Sequence, residues 1–245
     1  MHRIALLDRD GLFVEICLNG YGSSYTIKWY SIVNRVLKMQ KKIDKNFVVI
    51  GCGGLGCYII ENLMRLNVKN ITVCDADIFV DSNLNRQLYA TPATLGALKV
   101  VTAKKRADEL RFKGGFTAIA EHFVESNAER ILKKADIVID ALDNSASRLV
   151  LEDECAKRNL PIVHGAVGEW IYQVGISLPG SGLLHKIYGE DANDTHVPNY
   201  SFGVSLCAAR EVAEAMKLAT GLHSNLENRL LVCDLEDNTE QIVEL

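Results

Sequence analysis

From residue 47 onward, short aliphatic runs alternate with longer segments in which apolar residues recur every three or four positions. Phe47–Ile50 is the first such run, and Leu55, Ile59 and Leu63 mark the helix that follows it. This alternation is typical of βαβ units, whose parallel strands are joined by right-handed crossovers. It predicts an α/β protein with a doubly wound, mainly parallel sheet. The further predicted strands are Asn70–Cys74, Phe116–Phe123, Asp136–Asp140 and Pro161–His164, and the further helices lie near Ala97–Leu110, Asn127–Lys134 and Ala146–Asn159.

The amino-terminal segment follows a different pattern. Residues 3–17 alternate between apolar and polar positions around Arg9-Asp10-Gly11, which predicts a β-hairpin. Tyr25–Met39 has apolar residues at helical spacing and predicts a helix. We therefore expect residues 1–45 to form an appendage of hairpin and helix, and residues 46–245 to form the main domain.

The carboxyl-terminal part of the chain begins with a loop-like stretch. Residues 180–200 are rich in glycine, asparagine and aspartate, and a loop of this length more often covers a substrate than lies idle. Helical spacing returns in Gly203–Thr220. Arg229–Leu235 and Gln241–Leu245 then predict two strands of a carboxyl-terminal antiparallel extension.

Composition excludes several classes of function. The 245 residues are 48% hydrophobic and 24% charged, as in globular proteins, and the formal charge of -4 gives no basic field for nucleic acid. No apolar run approaches the roughly 18 residues of a spanning helix. Arg3, Asp8 and Arg9 occupy a region that would be apolar in a signal peptide. We expect a cytoplasmic protein without nucleic-acid or membrane partners.

The number and spacing of the cysteines are those of a protein without paired thiols. There are seven, an odd number, and they are scattered along the chain without any Cys-x-x-Cys pair. We expect neither structural disulfides nor a thiolate zinc site.

A glycine-rich turn follows the first strand of the main domain and opens its first helix. Gly51–Gly56 matches the fingerprint in which glycines let the backbone approach a phosphate and the helix N-terminus attracts its charge. Asp75 follows the next strand, where a carboxylate can accept hydrogen bonds from ribose hydroxyls. These features predict nucleotide binding by a Rossmann-like domain, with a purely structural turn as the alternative. They do not distinguish NAD from ATP.

Polar residues beyond Asp75 favour a triphosphate. Arg86, within Asn83–Gln87, and Lys99 supply two cations near amide donors, a set suited to charge that grows on departing phosphate oxygens. Asp143 follows a predicted strand and can hold Mg²⁺ against the phosphates. Taken singly, each residue could equally be a solvated side chain or a helix cap. As an ordered set they indicate ATP.

In order and spacing, these segments resemble the ThiF/MoeB/HesA family of adenylating enzymes, which are related to the ubiquitin-activating enzymes. The resemblance covers about residues 46–178 and, more weakly, 200–245, and its Asn-Leu-x-Arg-Gln element is highly specific. The segments concerned are Gly51–Gly56, Asp75-Ala76-Asp77, Ser82–Gln87, Lys99, and Asp140–Asn144 with Arg148.

The resemblance implies an enzyme that adenylates a carboxylate with ATP and Mg²⁺, releases pyrophosphate and forms a homodimer. It implies that Arg86, Lys99 and Asp143 are catalytic and that Asp143 holds the metal. The substrate carboxylate is its own nucleophile, so such catalysis needs only alignment and charge neutralisation. The residues implied in nucleotide binding are Gly51, Gly53, Gly54, Gly56, Asp75, Asp77, Asn83, Arg86, Gln87, Lys99 and Asn144.

Two departures from the family's pattern narrow the expected chemistry. Many members bind zinc through two Cys-x-x-Cys pairs, whereas the first such place here reads Leu184–Gly189 and the chain ends before the second. We expect no zinc, with His185 and His196 exposed in the loop. The family's crossover loop, at about residues 185–202 here, contains no cysteine, and Cys207 beyond it is predicted to be a buried helical thiol.

The reaction is therefore expected to end at the adenylate or to pass it to another protein. Two substrates remain open: the carboxyl-terminal glycine of a ubiquitin-like or sulfur-carrier protein, and a small-molecule carboxylate such as the pyridinol cofactor precursor that HcgE-type relatives activate. The departures favour the small molecule slightly. The alternative functions are an NAD-dependent oxidoreductase, which leaves Arg86, Lys99 and Asp143 without a role, and a catalytically silent nucleotide-binding scaffold.

Overall fold

The computed structural model describes residues 43–189 and 197–245 with their side chains, and the backbone of strands at 2–7, 13–18 and 25–29. The chain divides into two compact units, Met1–Lys42 and Ile43–Leu245.

The first unit contains a three-stranded sheet. Its strands, in sheet order, are β1 (His2–Leu7), β2 (Phe13–Leu18) and β3 (Tyr25–Trp29). β1 and β2 pair antiparallel, as the hairpin prediction requires, although the turn at Arg9-Asp10-Gly11 lies outside the described residues. The helix predicted over Tyr25–Met39 is wrong in its first part, because β3 pairs with β2 as a strand. Aromatic and β-branched residues in Tyr25–Trp29 favour that pairing, and residues 30–39 lie outside the described part of the chain.

The second unit is built on one eight-stranded sheet. Its strands are β4 (Asn46–Ile50), β5 (Asn70–Cys74), β6 (Gly115–Ile119), β7 (Ile137–Asp140), β8 (Ile162–Gly168), β9 (Ile171–Ser177), β10 (Arg229–Asp234) and β11 (Thr239–Glu244). They lie in the order β11-β10-β9-β8-β7-β4-β5-β6. Neighbouring strands pair parallel across β8, β7, β4, β5 and β6. β9 pairs antiparallel with β8, β10 with β9, and β11 with β10. This confirms the predicted α/β, Rossmann-like class with an antiparallel carboxyl-terminal extension.

Helices cover both faces of this sheet. They are α1 (Gly54–Arg65), α2 (Lys99–Glu109), α3 (Glu125–Leu132), α4 (Ser145–Lys157), α5 (Leu183–Tyr188) and α6 (Ser201–Thr220). Side chains of β4 alternate between the faces. Phe47 and Val49 pack with residues of α1, α2 and α6, whereas Val48 and Ile50 pack with residues of α3, α4 and α5. No helix within residues 43–189 and 197–245 is both long enough and apolar enough to cross a membrane.

One β-strand and one α-helix of this unit have no counterpart in the sequence prediction. β9 forms an antiparallel hairpin with β8, which continues to Gly168 instead of ending at His164. α5 lies inside residues 180–200, so the prediction of a continuous loop there is wrong over Leu183–Tyr188. Residues 190–196 lie outside the described part of the chain. The other predicted elements of this unit correspond to observed ones, with ends that differ by a few residues.

The carboxyl edge of the parallel strands positions the candidate site. β4 and β7 are neighbours, yet the chain leaves β4 toward β5 on the opposite side, so a crevice opens where the strand order reverses. Ile50, Cys74 and Asp140 are the last residues of β4, β5 and β7. The loops that follow these three strands contain most of the predicted site residues.

Candidate functional site

The glycine loop between β4 and α1 has no room for a side chain at two of its positions. Gly51 has a φ of +104°, and a Cβ there would lie 2.3 Å from the carbonyl oxygen of Ala141. A Cβ on Gly56 would lie 2.2 Å from the carbonyl oxygen of Gly51. Both obstacles are backbone atoms, so a side chain at either position would push the loop away from the strand ends. Glycine therefore allows the tight turn that brings α1 directly against the sheet.

The start of α1 is open to an anion. Gly53, at the N-cap, supplies no side-chain hydrogen bond, and the first turn contains no acidic residue. The first N–H groups of a helix have no partner within the helix, and the helix dipole adds positive potential there. Gly53 and Gly54 both line a cavity at this edge of the sheet. The helix start therefore offers N–H donors to a phosphate.

Asp75 holds the glycine loop from the end of β5. Its Oδ2 accepts a hydrogen bond from the Cys52 N–H at 2.6 Å, and its Oδ1 accepts one from the Asp77 N–H at 2.7 Å. Each carboxylate oxygen has a second lone pair, so the group can still accept from ribose hydroxyls. The predicted ribose ligand thus also fixes the shape of the loop.

Two cations line the cavity. The buried Lys99, at the start of α2, donates from Nζ to Asp77 Oδ2 at 2.9 Å. Burial by itself would lower the pKa of Lys99, but the hydrogen bond to Asp77 and the charge of Asp75 raise it, so the ammonium group stays charged. Arg86 Nη1 donates to the Ser82 carbonyl at 2.8 Å and to Asn85 Oδ1 at 2.9 Å. Within the described residues Arg86 forms no ion pair, so its charge is available to a ligand.

The amides of this segment have different roles. Gln87 is 6% exposed and lines the cavity, and its Oε1 has no hydrogen-bond partner among the described residues. Asn83, by contrast, caps its own turn, because its Oδ1 accepts from the Val80 N–H at 3.1 Å. Asn85, which the sequence did not single out, lines the cavity while Asn83 does not.

The loop after β7 presents the acidic candidate. Asp143 is exposed and lines the cavity, and Asn144 Nδ2 donates to its Oδ1 at 3.4 Å. Asn144 also begins α4, because its Oδ1 accepts from the Ser147 N–H at 2.9 Å. Asn144 is therefore a helix cap that also borders the cavity.

One cavity of about 1060 Å³ brings most of the predicted residues together. Gly56 does not line it, since Gly56 lies in the first turn of α1 and faces the Gly51 carbonyl, and Asn83 is likewise absent from its wall. The predicted residues that line the cavity are Gly51, Gly53, Gly54, Asp75, Asp77, Arg86, Gln87, Lys99, Asp143 and Asn144.

The rest of the cavity wall contains a buried hydrogen-bonded network. Arg148, of α4, donates from Nη1 to the Tyr188 hydroxyl oxygen at 2.6 Å and from Nη2 to the Leu142 carbonyl at 2.5 Å. Beneath them, His164 Nδ1 lies 2.8 Å from Asp140 Oδ2, and both side chains are fully buried. Burial by itself would raise the pKa of Asp140, but the charge of Arg148 and the bond to His164 lower it, so the carboxylate is ionised.

Sequence reasoning missed Tyr188 and Gln173 in this network. Gln173 Nε2 lies 3.2 Å from His164 Nε2 and donates to the Tyr188 hydroxyl at 3.2 Å. A two-residue period in Ile171–Ser177 was the available signal, because Tyr172, Val174 and Ile176 are buried on one face of β9 and Gln173 lies on the other. Tyr188 gave no such signal, since it ends the unpredicted helix α5.

An exposed aromatic cluster borders the cavity. Trp170, Tyr200 and Phe202 have ring centroids 5.1 to 5.6 Å apart and are each 40 to 42% exposed. The exposed Ile171 and Val197 line the cavity itself. A contiguous exposed apolar surface often marks a binding face.

The site fits ATP with a divalent metal. The unpartnered Gln87 Oε1, the uncapped start of α1 and the Lys99 and Arg86 cations match the donor and acceptor needs of a nucleotide triphosphate. In the described ranges, no three His, Cys, Asp or Glu side chains are grouped to hold a metal ion. Mg²⁺ does not require such a group, because it commonly binds through one or two carboxylates, phosphates and waters.

The expected absence of zinc stays a prediction. His185 is 42% exposed, and its Nδ1 lies 2.7 Å from Glu152 Oε2, while His196 is outside the described residues. The six cysteines of the described ranges form no disulfide with one another, and Cys207 is buried as predicted.

The fold and the site define a nucleotide-binding α/β protein with a cavity suited to a triphosphate. The chain belongs to the ThiF family, whose model matches residues 27–245. It is 28% identical over 207 residues to the SAMP-activating enzyme E1 of Haloferax volcanii, covering 82% of this chain and 77% of that protein. It is 30% identical over 208 residues to the sulfur carrier protein adenylyltransferase of Thermus thermophilus, covering 80% of this chain and 77% of that protein.

Two further comparisons, with a solved structure and with longer relatives, support less about this chain. The crystal structure of E. coli MccB with ATP has a TM-score of 0.71 at 20% identity and covers 86% of this chain and 67% of that chain, which shows a shared fold. The chain spans about half the length of the relatives named adenylyltransferase and sulfurtransferase MOCS3.

Proposed function

We propose that this protein activates a carboxylate by adenylation with ATP. An oxygen of the substrate carboxylate bonds to the α-phosphorus, the bond from that phosphorus to the bridging oxygen of the β-phosphate breaks, and pyrophosphate leaves. The observation that supports this best is the grouping of an uncapped helix start, Lys99 and Arg86 around one cavity. The adenylyltransferase name of the Thermus thermophilus relative points the same way.

The proposed residue roles follow from charge. Negative charge moves onto the departing pyrophosphate in the transition state, and fixed cations lower that barrier most when they are oriented before the reaction. Lys99 is already held by Asp77, and Arg86 by backbone and amide oxygens, so neither has to be reorganised. Asp75 holds the ribose, which fixes the α-phosphorus relative to the incoming carboxylate.

Asp143 is the proposed ligand for Mg²⁺. A bound Mg²⁺ would neutralise phosphate charge and favour release of pyrophosphate. The exposed position of Asp143 beside the glycine loop, in the same cavity wall, supports this assignment.

The substrate we favour is the carboxyl terminus of a polypeptide. A small acid bound next to ATP inside the cavity would not contact Trp170, Tyr200 or Phe202, which lie exposed beyond its wall. A carrier protein or peptide would cover them while its carboxyl terminus enters past Ile171 and Val197. The relatives named SAMP-activating enzyme and sulfur carrier protein adenylyltransferase support the same class of substrate.

We also propose a homodimer. Ile78 and Leu98 form a β-bridge, and Val101 follows Leu98 by one helical turn. Their exposures are 46%, 37% and 54%, which is unusual for neighbouring aliphatic residues. A second copy would cover them next to the Lys99 end of α2. Light scattering of Val101→Glu should then show a shift from dimer toward monomer.

Pyrophosphate exchange into ATP tests the proposed function. The candidate carboxylates are a ubiquitin-fold carrier that ends in Gly-Gly, the same carrier without that dipeptide, and a set of small acids. We expect exchange with the intact carrier only, and loss of exchange in Arg86→Ala but not in Arg229→Ala, a matched change at an exposed arginine of β10.

Other results of these measurements would indicate a different substrate or a different reaction. Exchange with a small acid alone would assign the substrate to the small-molecule class. Absence of exchange with every carboxylate would refute adenylation, and tighter binding of NAD than of Mg-ATP in calorimetry would favour the oxidoreductase alternative.

A further inference from the structure

The proton positions in the buried network can be assigned from charge. Asp140 is ionised and can only accept hydrogen bonds. Burial lowers the pKa of His164 and outweighs the neighbouring carboxylate, so its ring is neutral. The single ring proton must then be on Nδ1, which lies 2.8 Å from Asp140 Oδ2, and Nε2 presents a lone pair.

That lone pair sets the direction of the Tyr188 hydroxyl. Arg148 Nη1 and Gln173 Nε2 both donate to the hydroxyl oxygen, so the hydroxyl's own proton is directed to His164 Nε2, which lies 3.1 Å away. Its oxygen then accepts from Arg148 Nη1 at 2.6 Å, and the guanidinium also lies over the Tyr188 ring, 4.8 Å from the centroid. The Tyr188 hydroxyl therefore links His164 to Arg148 through two hydrogen bonds.

Arg148 extends this connection to the loop after β7. Its Nη2 donates to the Leu142 carbonyl at 2.5 Å, and Asp140 Oδ1 accepts from the Leu142 N–H at 2.9 Å. Both main-chain groups of Leu142 are thereby held by the network. The next residue is Asp143, whose own side chain is exposed in the cavity.

We infer that Tyr188 is a positioning residue for Asp143. Through Arg148 and Leu142, the Tyr188 hydroxyl fixes the loop that presents the Asp143 carboxylate. His164 takes part by orienting the hydroxyl. The inference rests on the proposed function only in taking Asp143 as the Mg²⁺ ligand.

The test is a binding experiment that involves no turnover. Calorimetry measures the affinity of α,β-methylene ATP in EDTA and in rising Mg²⁺ for wild type, Tyr188→Phe and Tyr58→Phe. Tyr58 is the matched control, since it lies on α1, packs against the hydrophobic core and does not line the cavity. We expect Tyr188→Phe to lose about tenfold of the gain in affinity that Mg²⁺ gives, the lower end for changes behind a metal ligand. Affinity in EDTA should stay the same, as should both affinities of Tyr58→Phe.

A second variant distinguishes positioning from general destabilisation. His164→Asn keeps a donor toward Asp140, but its shorter side chain has no acceptor at the position of Nε2, which Tyr188 uses. We expect it to reduce the Mg²⁺ response in the same direction, and we expect the double variant to lose no more than Tyr188→Phe alone, because both changes break one connection. If Tyr188→Phe does not fold, His164→Asn alone provides the test.

The two possible failures can be told apart. An unchanged Mg²⁺ response in Tyr188→Phe, or losses that simply add in the double variant, would overturn the positioning role and leave the adenylation proposal standing. A wild type that binds no analogue would refute the proposed function and this inference together.

Discussion

Lys99 and Asp77 form an ion pair in which the lysine side chain is 8% exposed and the aspartate side chain is 55% exposed. The charge of Lys99 is therefore balanced from the solvent side of the cavity, where a ligand arrives. The ammonium group has further N–H donors, so a phosphate can bind Lys99 while Asp77 stays in place. The pair thus keeps a buried cation stable in the absence of ligand and already oriented when the ligand arrives.

Replacing Lys99 by methionine should abolish most of the exchange activity while leaving the fold intact. Removal of one preorganised donor to a developing charge costs about 10²–10³ in rate. Lys104→Met is the matched control on α2, because Lys104 pairs with Asp108 on the exposed face. Exchange rates in Lys99→Met that stay close to the Lys104→Met value would contradict the proposed role.

Gly56→Ala should destabilise the protein more than Gly54→Ala. The new Cβ at position 56 would meet the Gly51 carbonyl oxygen at 2.2 Å, whereas at position 54 it would meet only Val204 Cγ1 at 3.4 Å. Overpacking of this kind costs about 1–3 kcal/mol. Urea denaturation measures the free energy of unfolding of both variants, and equal values for the two would show that the turn can relax.

Glu211→Gln should stabilise the protein at neutral and alkaline pH. Glu211 of α6 is fully buried against Gly165, and its Oε1 has no hydrogen-bond partner among the described residues. Burial raises the pKa of Glu211 well above its ordinary 4.5, and the charge of Asp140 adds to this effect. The folded state therefore keeps a proton that the unfolded state releases. The stability from this group is complete below pH 4.5 and is lost as pH rises toward the folded pKa.

The loss amounts to about 1.4 kcal/mol per pH unit within that window. Urea titrations at pH 4 and pH 8 should show little difference between wild type and Glu211→Gln at the lower pH, and a more stable variant at the higher pH. Glu236→Gln, at an exposed site after β10, is the control. A wild type and a Glu211→Gln variant with parallel pH profiles would show that Glu211 ionises normally.

Cys207→Ala should leave adenylation unchanged. Burial raises the pKa of Cys207 well above its usual range, and the nearby Glu211 raises it further, so the thiol does not ionise at neutral pH. Exchange assays and iodoacetamide labelling of the folded protein check this together. Rapid labelling of Cys207, or loss of exchange in a folded Cys207→Ala variant, would instead point to a covalent intermediate.

The alternation of apolar runs was enough to predict the parallel sheet, but not the elements that depend on distant partners. The first turn of α5 is held by Glu152 of α4, whose carboxylate accepts from the Leu184 and His185 N–H groups, each at 2.9 Å. Nothing in the local sequence supplies that cap. β9 was hidden for a related reason, since its hairpin with β8 turns at Glu169, which has a φ of +52° where glycine is usual.

Within the site, motif spacing placed the backbone better than individual side chains. Asn83 and Asn85 both belong to the Asn-Leu-x-Arg-Gln region, but Asn83 Oδ1 accepts a hydrogen bond from the nearby Val80 N–H and does not line the cavity. Side chains that cap a turn and side chains that bind a ligand have the same composition, so sequence alone does not separate them. Tyr188 meets Arg148, and Gln173 meets Tyr188, only after α5 and β9 have formed.

The double hydrogen bond of Asp75 has a consequence for redesign. In dinucleotide-binding folds, the acidic residue at this position is the usual place to alter ribose specificity. Here the same carboxylate accepts hydrogen bonds from the Cys52 and Asp77 N–H groups. Its removal would therefore loosen the glycine loop and also the position of Asp77, which holds Lys99. A change of nucleotide preference is better sought at His122 and Phe123, which border the cavity and leave that anchor in place.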